Sequence, residues 1–239
     1  MKKEPVLPAR NALTKAALAK AAAEKAEAEA IEAPVKVARS KIFFAYVSRM
    51  KYINRWGLMR NTETENIQEH SLQVAMLAHA LALIHNDLNN GELWETVLDP
   101  EKACLYGVFH DCDEIITGDL PTPIKYANPV IRDNYHDIES QSKNKLLGML
   151  PESLRPVYKD ILFFESLDPE YRAIVKAADK LSAYIKCVEE CKAGNSEFSR
   201  ARDSVMADLR SMRLPELDYF IDNYLPAYSL TLDELESSC

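Results

Sequence analysis

His110-Asp111-Cys112-Asp113-Glu114 follows an apolar run, Ala103, Cys104, Leu105, Val108 and Phe109, and precedes the turn-rich segment Thr117-Gly118-Asp119-Leu120-Pro121-Thr122-Pro123. Read as a helix, the pentad sets Glu114 one turn beyond both His110 and Asp111, so an imidazole and two carboxylates share a face. Such a face suits a metal site with a spare carboxylate. It equally describes a helix C-terminus with a capping histidine and solvated acids. An ionised Asp111 buried on so apolar a helix is costly without a cation beside it. Asp113 points off the proposed face.

Working outward, the segment after the pentad cannot continue a regular helix, because Gly118 and two prolines break it. Asp119 at that bend is either an Asx-turn former or an acceptor for a ligand hydroxyl. Upstream, Asn66 with Glu69 three residues later makes a capping box, which starts a helix carrying Val74, Leu77 and Leu81 on one stripe. His70 lies in its first turn, where it is either a hydrogen-bonded core residue or open to a ligand. Downstream, Pro169-Glu170 opens a helix with Tyr171, Ile174, Val175, Ala178, Leu181, Ile185 and Val188 at helical spacing. Asp179 interrupts that series, as an intrahelical partner of Lys176 or as a further metal ligand. A first amphipathic helix from Ser40 carries Ile42, Phe43, Tyr46, Val47, Met50 and Ile53 and stops near Asn54-Arg55-Trp56-Gly57, with glycine as the helix stop. Further helical runs cover 130–150, 152–167 and 197–213, which makes the chain all-α.

The 239 residues, 47% hydrophobic with 6 glycines, can bury a large core. Residues 1–38 differ in composition. Their Ala, Lys and Glu favour helix but offer almost no large apolar side chain, so 1–38 is expected to be an extension, a marginal helix or disordered, ahead of one domain at 39–239. Net charge is −8; residues 1–40 carry +3 of it and the rest −11. An acidic body excludes a broad nucleic-acid surface, and no apolar run is long enough to span a membrane. The five cysteines, at 104, 112, 187, 191 and 239, have no paired spacing and read as reduced thiols. A cytoplasmic location is expected, since charged residues interrupt the N-terminal alanines.

The order His70, His110-Asp111, Asp179, with the stretches Ile53-Asn54-Arg55-Trp56, Leu58-Met59-Arg60-Asn61, Glu69-His70-Ser71-Leu72-Gln73-Val74-Ala75, Leu120-Pro121-Thr122-Pro123-Ile124-Lys125-Tyr126 and Ala177-Ala178-Asp179, resembles the bacterial 5'-deoxynucleotidases among the HD-domain metal-dependent phosphohydrolases. The resemblance runs from about Lys41 to Glu234 and leaves out the N-terminal extension. It implies an HD-domain helical bundle around a central metal site, with His70, His110, Asp111 and Asp179 as ligands. By the same resemblance Arg55 orients the phosphate, Trp56 flanks the nucleoside, Asp119, Leu120, Pro121 and Thr122 contact substrate, and Glu114 stands where the family has an acidic catalytic residue. A homodimer is implied as well.

Two imidazoles and two carboxylates suit one divalent transition ion, Co, Mn, Zn or Fe. The expected reaction is hydrolysis of a deoxyribonucleoside 5'-monophosphate, with no nucleic-acid polymer and no membrane as partner. Competing expectations are an HD phosphohydrolase acting on nucleoside triphosphates or cyclic nucleotides, and a non-catalytic nucleotide or metal sensor. The presence of Arg55 and Glu114 speaks against the sensor.

Overall fold

A computed structural model of the chain describes residues 15, 17–25, 37–89, 97–125 and 127–237, the side chain of Thr122 excepted. Regular structure among them is helical throughout. Contacts divide the chain between Ala38 and Arg39. Before that point the described residues 15 and 17–25 are helical and exposed, as expected of alanine-rich sequence without large apolar side chains.

Two long helices and a shorter one position the site. Helix α2 (Ile67–Leu88) begins at the expected capping box: the Asn66 side chain accepts from Gln68 N and Glu69 N, and the Glu69 carboxylate accepts from Asn66 N. Helix α3 (Pro100–Phe109) starts with Asp99 as its cap and proline at its first position, where a missing N–H costs nothing. Helix α9 (Pro169–Lys192) likewise opens on proline. Their apolar stripes meet in one buried cluster that includes Val74, Leu77, Leu81, Tyr106, Ile174 and Leu181. Gly107 lets α3 come close to α2: a Cβ there would stand 2.6 Å from Ala75 Cα. That approach brings the end of α3, and with it His110, beside the start of α2, where His70 sits.

A second cluster, with Phe43, Met50, Ile67, Cys112, Leu146 and Leu162, lies at the other side of this junction. It is built from α1 (Phe43–Val47), α6 (Pro129–Leu147) and α7 (Arg155–Leu162), joined by Cys112 from the pentad. The sequence continues through α4 (Glu114–Thr117) and α5 (Thr122–Lys125) before α6. Past α9, α10 (Ser199–Ser211) and α11 (Pro215–Asn223) send Leu209, Leu217 and Phe220 into the first cluster.

Two expectations need correction. The pentad is not a continuous helix: α3 ends at Phe109, residues 110–113 form turns closed by Cys112 N to Phe109 O (3.2 Å) and Glu114 N to Asp111 O (3.1 Å), and helix resumes at Glu114. The chain tightens because Cys112, fully buried, is drawn into the second cluster. The first amphipathic helix is also broken, into α1 and a 3₁₀ turn at Ser48–Tyr52. Its exit is turned by Trp56, at φ +59°, and not by Gly57.

Candidate metal and substrate site

His70, His110, Asp111 and Asp179 converge where α2, the end of α3 and α9 meet. One donor atom from each lies within 4.8 Å of all the others. His70 is fully buried and His110 nearly so. His70 Nε2 stands 3.0 Å from Asp179 Oδ1 and 3.7 Å from Asp111 Oδ2, while His110 Nε2 stands 3.1 Å from Asp111 Oδ2. Neither Nε2 atom has a hydrogen-bond partner, although both are buried. Two buried ring nitrogens facing two carboxylates without hydrogen-bonding them suit a cation at the common centre.

The imidazoles differ in how they are held. His110 Nδ1 lies 2.9 Å from the Gly107 carbonyl, which can only accept, so Nδ1 carries a proton and Nε2 is the nitrogen turned inward, free to ligate once its own proton is lost. His70 Nδ1 lies 2.6 Å from Arg55 Nη1, a donor, and 3.0 Å from Ser182 Oγ. Ser182 donates its own hydroxyl to Gln73 Oε1 at 2.5 Å, which leaves Oγ able to accept from Nδ1. His70 can therefore take up the ligating tautomer if Arg55 yields the contact.

Charge within the cluster is strongly perturbed. Burial disfavours an ionised His110, but Asp111 outweighs it and raises the imidazole to about 9. Burial and the Arg55 charge lower His70. Asp179 is held at about 2, the neighbouring His70 overcoming its burial. A cation at this centre would have to compete with these protons.

Glu114 is buried beside these groups. Lys125 Nζ on α5 donates to its Oε1 at 2.9 Å, and Oε2 has no partner. Burial, then the negative charge of Asp111, pushes the Glu114 carboxyl up to about 9, with Lys125 opposing. Glu114 lines a cavity of about 480 Å³ together with His110, Asp111, Lys125 and Asp179. Asp113, expected to face away, lines the same cavity and is 4% exposed; burial raises it to about 6, with Lys143 opposing. The 3₁₀ turn through 110–113 accounts for the difference, since it advances each side chain further round than an α-helix does.

Arg55 reaches the cluster from the turn before α2, with Nη2 3.8 Å from Asp179 Oδ1. Trp56 beside it packs on Phe198, ring centroids 5.3 Å apart. Asp119 is half-buried and within electrostatic reach of Arg55, Lys125 and Asp111. Leu120 and Pro121 are half-buried in the same loop, and the Pro121 carbonyl accepts from Ile124 N and Lys125 N to start α5. The side chain of Thr122 lies outside the described residues. Asp179 makes its ion pairs with Arg55 and the histidines, so the intrahelical alternative with Lys176 is not the arrangement found.

Sequence reading passed over three side chains that hold this site. Glu65 Oε2 accepts from both Arg55 Nη1 (3.1 Å) and Trp56 Nε1 (2.9 Å). Ser182 supports His70, and Lys125 ties the Asp119 loop to Glu114. Ser182 lies three residues after Asp179 and so nearly one helical turn further on, which is the one sequence signal that could have pointed to it.

Residues 42–228 match the family described as 5'-deoxynucleotidase YfbR-like. The chain belongs to that family. A 5'-deoxynucleotidase of Erwinia tasmaniensis is 50% identical over 193 residues, 81% of this chain and 95% of the relative. Another, of Vibrio cholerae, is 48% identical over 81% of this chain and 97% of its own length. Among solved structures, an HD-domain phosphohydrolase of Listeria innocua superposes with a TM-score of 0.66 at 23% identity, covering 78% of this chain and 87% of that one. An HD phosphohydrolase of cyanophage S-2L, bound to dA and one catalytic Zn2+ ion, does so with a TM-score of 0.55 at 20% identity, covering 82% and 100%. These last two share the fold, so the YfbR-like chain is an HD-domain helical bundle.

Proposed function

We propose that this chain is a metal-dependent 5'-deoxynucleotidase, hydrolysing deoxyribonucleoside 5'-monophosphates to the deoxyribonucleoside and phosphate. The observation that carries the reading is the four-donor cluster with an arginine on one side and a buried carboxylate with a free oxygen on the other. The 5'-deoxynucleotidase relatives and the dA-bound neighbour support the substrate class.

In this reading His70, His110, Asp111 and Asp179 hold one divalent ion. When bound, it supplies a Lewis acid that activates water and polarises a phosphoryl oxygen. The donor set admits Co, Mn, Zn or Fe, and the cyanophage neighbour's Zn2+ is one of these. Arg55 binds and orients the phosphate with the guanidinium edge that Glu65 leaves free. As a water oxygen bonds to phosphorus and the bond to the 5'-oxygen breaks, Glu114, ionised once a cation offsets the Asp111 charge that raises it, would accept the water proton and pass it to the departing 5'-oxygen. Trp56 flanks the nucleoside with its ring, its N–H being committed to Glu65. Asp119 accepts the 3'-hydroxyl, and Leu120, Pro121 and Thr122 contact the substrate, with exclusion of a 2'-hydroxyl resting on the family resemblance.

A phosphate-release panel with Co(II), Mn(II) or Zn(II) tests this. Deoxyribonucleoside 5'-monophosphates are expected to react at least about tenfold faster than ribonucleotides, with nucleoside triphosphates and cyclic nucleotides inert. No release from any monophosphate would overturn the reading.

The enzymatic unit is assigned to 39–239, with 1–38 an extension outside it, and its location to the cytoplasm. No helix among the described residues is long and apolar enough to cross a membrane, and Cys104, Cys112, Cys187 and Cys191 are free thiols. A homodimer is proposed through α2 and α3. Leu72 and Met76 lie one turn apart on α2 and are 60% and 58% exposed, and Leu72 shares a groove with Val108 of α3. Covering such a face is what an isologous interface does. Sedimentation should give a dimer for the wild type and a monomer for Leu72→Asp/Met76→Asp; a wild-type monomer at micromolar concentration would refute it.

A further inference from the structure

Arg55 and Trp56 are neighbours in sequence but sit in a turn, where two long side chains would ordinarily sample many rotamers. The structure fixes both with one group. Glu65 Oε2 accepts from Arg55 Nη1 at 3.1 Å and from Trp56 Nε1 at 2.9 Å, and the Glu65 side chain is only 12% exposed. Main-chain pairing places it there: Arg55 N donates to Glu65 O at 2.9 Å, Ile67 N donates to Ile53 O at 2.9 Å, and Asn54 bridges antiparallel to Asn66. Trp56 is held at φ +59°, a conformation a bulky residue adopts only when its surroundings impose it.

We propose that Glu65 is a positioning residue that orders Arg55 and Trp56 together, and that it is the anchor of Arg55 once the metal centre is filled. The argument rests on the deoxynucleotidase reading above. Arg55 Nη1 has two close acceptors, Glu65 Oε2 and His70 Nδ1. A His70 that ligates through Nε2 carries its proton on Nδ1 and no longer accepts from Arg55. Glu65 then remains as the acceptor that keeps the guanidinium from turning toward Asp179, whose Oδ1 is 3.8 Å from Nη2. Its charge also offsets that of Arg55, whose side chain is only 13% exposed.

The far end of the same loop has its own fastening. Buried Glu190 accepts from Thr62 N (2.9 Å), Thr62 Oγ1 (2.7 Å) and Asn195 Nδ2 (2.8 Å), and pairs with Lys186. Lys186 Nζ donates to the Glu63 carbonyl at 2.7 Å and Asn195 Nδ2 to that of Arg60 at 2.7 Å. Loss of the Glu65 carboxylate therefore frees two side chains without releasing the loop.

The test is a double-mutant cycle on the full chain loaded with Co(II), using a deoxyribonucleoside 5'-monophosphate, with melting curves for each protein. Glu65→Ala is expected to lower kcat/KM about 10²-fold, as misplacement of a binding group does. Arg55→Ala should cost about 10³-fold, and the double variant should fall within about tenfold of Arg55→Ala alone, the remainder coming from the freed Trp56. Glu65→Gln, which keeps an acceptor oxygen, should restore most of the loss. Costs that multiply in the double variant, or a fully active Glu65→Ala, would overturn the proposal. Should Glu65→Ala not fold, the same cycle is run with Glu65→Gln, where a smaller loss is expected and must likewise shrink in the Arg55→Ala background. An Arg55→Ala protein with unchanged kcat/KM would instead refute the phosphate-binding role on which the proposal rests.

Discussion

Asp179→Ala is expected to reduce bound metal from about one ion per chain to nearly none and to lower kcat by at least about 10³-fold. The variant removes one of four converging donors and also the carboxylate nearest His70 Nε2. Three donors remain, but the ion loses a negative charge, and hard-to-borderline cations depend on it. Stability should respond in a distinctive way. Without metal the variant should melt about 2–5 °C below the wild type at neutral pH, because the His70 attraction that holds the Asp179 carboxyl down to about 2 is lost, an effect kept small by the 37% exposure of the side chain. With metal at a hundred times its Kd, the wild type gains roughly 3 kcal/mol and about 5–10 °C, and the variant gains nothing. Full metal occupancy in Asp179→Ala would show that Asp179 is not a ligand.

Glu114→Gln should behave in the opposite sense, keeping the metal and losing turnover by about 10²–10⁴-fold. Glu114 is not among the four converging donors, and one of its oxygens is held by Lys125. Glutamine preserves the shape and can still accept from Lys125, but it cannot take a proton. Metal analysis beside single-turnover kinetics separates the two effects. Loss of metal from Glu114→Gln would make the residue a ligand instead of a base, and unchanged turnover would remove it from the chemistry.

Much of this arrangement is visible in the order of residues. The capping box at Asn66 and Glu69 and the apolar period through Ile174, Ala178, Leu181 and Ile185 are local signals, and each marks its helix because it is satisfied within one or two turns. What the sequence conceals depends on distant partners. No glycine or proline follows Phe109 to stop α3 before Gly118; the helix ends where Cys112 enters the second cluster. The left-handed turn falls on Trp56 and not on Gly57 because the indole N–H finds Glu65 and the ring finds Phe198, nine and 142 residues away. Asp113 is buried within electrostatic reach of Lys143 on α6, a proximity that no helical wheel drawn on the pentad contains. Glu65 was invisible for the same reason, since its role comes from the pairing of residue 54 with residue 66.

The spread of the four donors along the chain has a consequence for how the protein is made. His70 and both members of the His110-Asp111 pair leave the ribosome well before Asp179, so a growing chain holds three donors for several seconds at ordinary rates of synthesis before the fourth exists. Nor can the four meet until α9 has packed on α2. If all four donors are needed, an ion would not be the seed about which the chain collapses, as it is in a zinc finger. It would be a late arrival, admitted once α9 stands against α2.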